Sequence, residues 1–170
     1  MTEQLMPAPW SDFFVMVGSG AAALAGLIFV ATAINLDVIL GNATHRNRAI
    51  NMLSGFTAVF MACGLGLVGD QRLGVLGVEW LVLWLIATAI FVRGYVVALK
   101  AGMSSIGLSA PRLAGGTLCY LAEVVSAILL VLGRRTGLAI AAVASVVLFA
   151  FLISGAWLLM VGIHQDPPRR

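Results

Sequence analysis

Long apolar runs broken by short polar connections organise this chain. The runs cover positions 13–40, 49–68, 73–99, 113–132 and 137–163. A helix needs roughly 20 apolar residues to cross a bilayer, and each run supplies about that many or more. The connections at 41–48, 69–72, 100–112 and 133–136 carry Gly, Asn, Asp, Arg and Pro111, which are turn-forming and charged residues. Connections this short make neighbouring spans antiparallel. Transmembrane strands would alternate polar and apolar residues over segments of about 10. Stretches such as Leu81-Val82-Leu83-Trp84-Leu85-Ile86 show no such alternation. The pattern therefore predicts an all-α fold, a polytopic bundle of five transmembrane helices forming one membrane domain over residues 1–170.

Composition closes the other routes. With 61% hydrophobic and 10% charged residues among 170 and a mean hydropathy of +1.06, the chain has too little polar surface for a soluble domain. The net charge of +3 then orients loops against an anionic bilayer and does not imply nucleic acid as a partner. Placing the N-terminus outside puts Arg46, Arg48, Lys100, Arg112, Arg169 and Arg170 inside, and only Arg72, Arg134 and Arg135 outside. That bias predicts the C-terminus inside. The stretch before the first run has no Lys or Arg and contains Glu3 and Asp12, and the run itself is too long for a signal-peptide core, so cleavage is not expected. Trp10, Trp80, Trp157 and Tyr95 fall towards span ends, where an aromatic belt would place them, and Trp84 lies deeper.

Helices in lipid associate through small residues that let backbones approach. Ser54, Ala58, Ala62 and Gly66 recur every four residues in the second run, and Gly18, Ala22 and Gly26 do so in the first. These two stripes are expected to meet each other, or to meet a copy from another subunit.

An ionisable residue inside the hydrocarbon is costly and needs a partner. Glu123 lies 11 residues from both Arg112 and Arg134, about 16 Å of helical rise either way, hence near mid-membrane. Its neighbours at helical spacing, Cys119, Tyr120, Ser126 and Ala127, form a small, weakly polar stripe suited to protein contact. Arg93, on the preceding span, is the expected partner, reaching inward with its long side chain. The pair serves to fix helix register, as a proton or ion site, or as a ligand contact. Glu79 is expected in the outer interface, near Arg72 or Arg135. Asn35 and Asp37 close the first run beside Arg46 and Arg48, and are expected either to cap the helix end or to form an inner polar site.

Other motifs carry no chemistry. Gly18-Ser19-Gly20 with Ala23 imitates a dinucleotide fingerprint but sits within a span, so no cofactor is expected. Asn42-Ala43-Thr44 is a formal glycosylation sequon in a loop expected inside. His45 and His164 lack a second ligand at helical spacing, and Cys63 and Cys119 lie in apolar runs, so neither a metal site nor a disulfide scaffold is indicated. No nucleophile and base stand together, and no enzymatic activity is expected.

The segment from Trp10 through Phe13-Phe14-Val15, Gly18, Ala22-Ala23-Leu24-Ala25-Gly26-Leu27-Ile28-Phe29-Val30-Ala31 and Ile34-Asn35-Leu36-Asp37, followed by Arg46 and Arg48, resembles a group of small five-span bacterial inner-membrane proteins, some named modulator of FtsH protease. The resemblance is confined mainly to positions 10–50. It implies a bacterial inner-membrane location and a binding or regulatory role towards a membrane protein such as a membrane protease. The residues and the resemblance together lead to a non-enzymatic membrane protein acting through lateral helix contacts, with itself or another membrane protein. The alternative is a homo-oligomeric ion or proton channel, or small transporter, using Glu123.

Overall fold

In hydrocarbon every backbone N–H and C=O must be bonded within the protein, and a helix does this locally. The computed structural model describes residues 9–69, 71–100 and 110–165, and among these described residues there are six helices. They are α1 (Pro9–Ile34), α2 (Leu36–Gly41), α3 (Ala43–Gly66), α4 (Leu73–Lys100), α5 (Ala110–Val131) and α6 (Thr136–Gln165). All but α2 are long and apolar enough to cross a membrane.

The first apolar run is not one helix. It breaks at Asn35, whose side-chain Nδ2 donates to the Ala31 carbonyl at 2.9 Å. That bond occupies a carbonyl which the end of α1 leaves without an intrahelical partner. The short α2 that follows buries Ile39 against Ala49 and Leu159 and exposes Leu36 and Leu40. After Asn42, α3 starts at Ala43, ahead of the expected 49, because the polar segment 43–48 is already helical.

Helices α3, α4, α5 and α6 form a closed ring in which each packs against its two neighbours, and α1 lies outside the ring, against α3. Close contacts fix the register of the ring. A Cβ on Gly77 of α4 would stand 2.5 Å from the Val131 nitrogen of α5, and a Cβ on Gly137 of α6 would stand 2.7 Å from the Ser126 carbonyl oxygen. Only glycine lets the backbones approach this closely. The α5–α6 turn is equally specific. Gly133 has φ +71°, its N–H bonds to the Leu130 carbonyl at 2.9 Å, and the Arg134 N–H bonds to the Leu129 carbonyl at 2.9 Å. This paired arrangement satisfies the last carbonyls of α5, and its left-handed residue favours glycine.

The aromatic core corrects the expected belt. Trp80 is 2% exposed, its Nε1 donates to the Ala62 carbonyl at 2.9 Å, and Phe14 packs edge-on against it. Trp80 shares the inward face of α4 with Leu73, Leu76, Trp84 and Phe91, so its helix phase, not its nearness to the span end, decides where it points. Trp157 is exposed.

The expected small-residue faces are corrected by the same reasoning. A step of four residues overshoots a full helical turn by about 40°, so a pure i+4 stripe drifts around its helix. Over Ser54, Ala58, Ala62 and Gly66 the drift reaches about 120°, and the stripe serves two neighbours. Gly66 meets the Phe14 ring of α1, whereas the Ala62 carbonyl faces Trp80 of α4. On α1, Gly18 meets Cys63, but Ala22 and Gly26 are exposed. The packed face of α1 is Phe14, Val17, Ala21 and Ile28, a mixture of three- and four-residue steps that keeps its phase.

Candidate functional site: the buried carboxyl

Glu123 is placed by α5, whose inward face also carries Tyr120, Ser126, Ala127 and Leu130, all buried. The carboxyl is 0% exposed. Its Oε1 accepts a hydrogen bond from Ser145 Oγ of α6 at 2.8 Å, and Ser126 Oγ donates to the Glu123 backbone carbonyl at 2.7 Å. The partner is thus a hydroxyl on the following span.

Arg93 is not that partner. The α4–α5 hairpin brings Gly77 against Leu130, and Phe91 against Gly116. Midway between these two contacts, Trp84 stands opposite Glu123. Arg93 lies nine residues further along α4, about 13 Å by helical rise, and is turned about 200° from buried Phe91. It is therefore exposed. The hairpin register and the helix phase both separate the two residues.

Around the carboxyl the ring is filled by aromatic and apolar side chains. Trp84 and Tyr120 pack edge-on with centroids 6.2 Å apart, and Phe91 stacks on Tyr120 at 4.9 Å. Trp84 Nε1 and Glu123 Oε2 are both buried without a hydrogen-bond partner. Such groups are costly to leave unbonded. Cys63 and Cys119 are free and buried.

Of the two roles expected for Asn35 and Asp37, Asn35 takes the one at the helix end, and the inner polar cluster is dispersed. Asn35 bonds to its own helix, and Asp37 and Arg46 are exposed. Arg48 instead reaches α6, donating to the Leu158 carbonyl at 3.3 Å. Glu79 is half-buried and accepts from the side chain of Gln71. His164 lies where side chains are outside the described set. Among the described residues no three His, Cys, Asp or Glu side chains gather as a metal site.

Sequence reasoning missed Ser145 and Asn51, and it named His45 without anticipating that it is buried. Asn51 is 8% exposed and packs against Gly94 of α4. The available signal for Ser145 was its isolation: no other hydroxyl occurs between Thr136 and Ser154, and Ser145 shares a face with Ala141, Leu148 and Leu152.

Two apolar grooves open on the outside of the ring. One, of about 350 Å³, runs between α3 and α4 and is lined by Ile50, Ser54, Ala58, Leu83, Ala87 and Ile90 among others. The other, of about 490 Å³, runs between α5 and α6 along Cys119, Ala122, Ala139 and Ala144. Compared with known protein families, curated proteins and solved structures, the chain has no match.

Proposed function

We propose that this chain is a multi-pass protein of the bacterial inner membrane, with its N-terminus outside and its C-terminus inside, acting without enzymatic chemistry through lateral helix contacts with a second copy or another membrane protein. The observation that carries this reading is the closed interior. Glu123 has no exposure and bonds to Ser145 within the ring, which supports a role in the core over one in a conduction path. A buried acid bonded across two spans holds α5 and α6 in one register, a role attested for buried polar groups. Contact surface is left on the outside, where Ala22 and Gly26 of α1 are exposed and no atom lies within 4 Å of a Cβ built on Gly26. The basic bias of the C-terminal side supports the orientation. The resemblance carried by the segment from Trp10 to Arg48 supports a membrane protease as the class of protein partner.

Purification in mild detergent followed by native mass spectrometry tests the proposal. A defined oligomer or a stoichiometric partner is expected, weakened by Gly26→Leu, which adds bulk without touching the fold. A partnerless monomer, combined with liposome ion flux that Glu123→Gln abolishes, would replace this reading with a channel.

A further inference from the structure

The α3–α4 groove ends between two arginines. On α4, Arg93 follows groove residue Ile86 by seven positions, which rotates it only about 20° from Ile86. On α3, Arg46 precedes Leu53 by seven positions and sits within the same small angle of that groove-lining residue. Both arginines are exposed. The antiparallel packing that sets Asn51 against Gly94 puts Arg93 level with Met52, six residues or about 9 Å from Arg46 along the bundle. Arginine side chains are long enough to converge from that separation, because they lie along apolar surface and lift their heads towards water.

Arg93 poses the sharper question. It stands four residues inside the apolar window that ends at Val97, about 6 Å from its edge, where an unneutralised cation is costly. Glu123, the acid at depth, is occupied by Ser145 on the far side of α4. Among the described residues no side chain bonds Arg93 or Arg46. Nothing among the described residues supplies the counter-charge, and at this level headgroup phosphates are within reach, above a groove lined by apolar side chains.

We propose that the α3–α4 groove with Arg93 and Arg46 is a binding site for one anionic phospholipid, its acyl chain lying along Ile50, Ala58, Ala87 and Ile90 and its phosphate held between the two guanidinium groups. Guanidinium is suited to this, being planar, permanently charged and matched to two phosphate oxygens at once. Basic sites between transmembrane helices are a recurrent means of anionic-lipid recognition. This site does not depend on the lateral-contact reading, since it uses neither α1 nor the α5–α6 groove.

The test uses the full-length protein in nanodiscs of phosphatidylcholine into which phosphatidylglycerol is titrated, with retained lipid counted by native mass spectrometry. Retained phosphatidylglycerol is expected to fall about fivefold for Arg93→Gln or Arg46→Gln and more in the double variant, following the contribution of one basic residue near an anionic surface. Arg134→Gln, at the opposite end of the bundle, removes the same charge and should leave retention unchanged. Thr57→Phe, which narrows the groove from an exposed lining position, should reduce retention with both arginines intact. Equal retention of phosphatidylcholine and phosphatidylglycerol, or a double variant that retains as much phosphatidylglycerol as the native protein, would overturn the proposal. Because the arginines are exposed, unchanged thermal unfolding of the variants separates lost binding from lost folding.

Discussion

Glu123 and Arg93 are both ionisable residues within apolar spans, yet the fold treats them oppositely. Glu123 is fully enclosed and bonded to Ser145, whereas Arg93 is exposed on the outer face of α4. Depth does not distinguish them as much as helix phase does. Glu123 lies three residues after Tyr120 and four before Ala127, both buried. Arg93 follows buried Phe91 by two residues, which turns it to the opposite side of the helix. A charge within a span belongs to the core only when its own helix face is already the packed one.

The strongest way to break this contrast is to remove what encloses the acid. Trp84 stands opposite Glu123, is 0% exposed and packs on Tyr120. Trp84→Ala should cost about 3–5 kcal/mol, as large aromatic-to-alanine changes in packed cores do. Unfolding in mixed micelles measures it, and a cost under about 1 kcal/mol would mean that the ring is not closed at this level. Glu123→Ala comes next, at about 2 kcal/mol, because it opens space and strands the Ser145 hydroxyl. Arg93→Ala, at an exposed position, should stay within about 0.5 kcal/mol. Similar losses from Glu123→Ala and Arg93→Ala would erase the distinction.

Much of this architecture was legible because lipid imposes a simple rule. Apolar runs of sufficient length must be helices, and the positions of α4, α5 and α6 follow closely from the sequence. Asn35 and Asp37 marked the end of the first helix, and the Asn35 amide does bond a terminal carbonyl of α1, but the separate α2 was hidden because Val38, Ile39 and Leu40 continue the apolar run. The face of α5 was readable since Cys119, Tyr120, Glu123, Ser126 and Ala127 stand out against Leu and Val. The inward face of α6 was not, because nearly every position there is apolar and only Ser145 marks it. Pairing Glu123 with Arg93 failed for a related reason. Opposite charge suggests contact, but register is set by where Gly77 and Gly116 admit their neighbours, and small residues reveal such points only after the faces are known.

Ser145→Ala tests the bond itself with less disruption than changing the acid. The hydroxyl's removal takes one donor from Oε1 and leaves almost no cavity. Hydrogen bonds between transmembrane helices average about 0.6 kcal/mol and reach about 1.7 kcal/mol, so a loss in that range is expected. The Glu123→Ala, Ser145→Ala cycle should show coupling of similar size, because alanine removes the acceptor that glutamine would keep. Zero coupling would mean that the 2.8 Å contact contributes geometry without stability.

The smallest expected effect is the most discriminating. Combining Glu123→Gln with Arg93→Gln should give losses that add within about 0.5 kcal/mol, since residues without contact or shared partners behave independently. Their axial separation along the hairpin and the intervening body of α4 leave no path for direct pairing. Additivity here, beside coupling in the Glu123–Ser145 cycle measured under the same conditions, assigns the acid to the interior and the arginine to the outer face of the bundle. Coupling above about 1 kcal/mol between Glu123 and Arg93 would instead require α4 to slide by about two and a half turns relative to α5. Such a slide would also dismantle the approach of Gly77 to Val131, so one measurement probes both the ion pair and the register on which the whole ring depends.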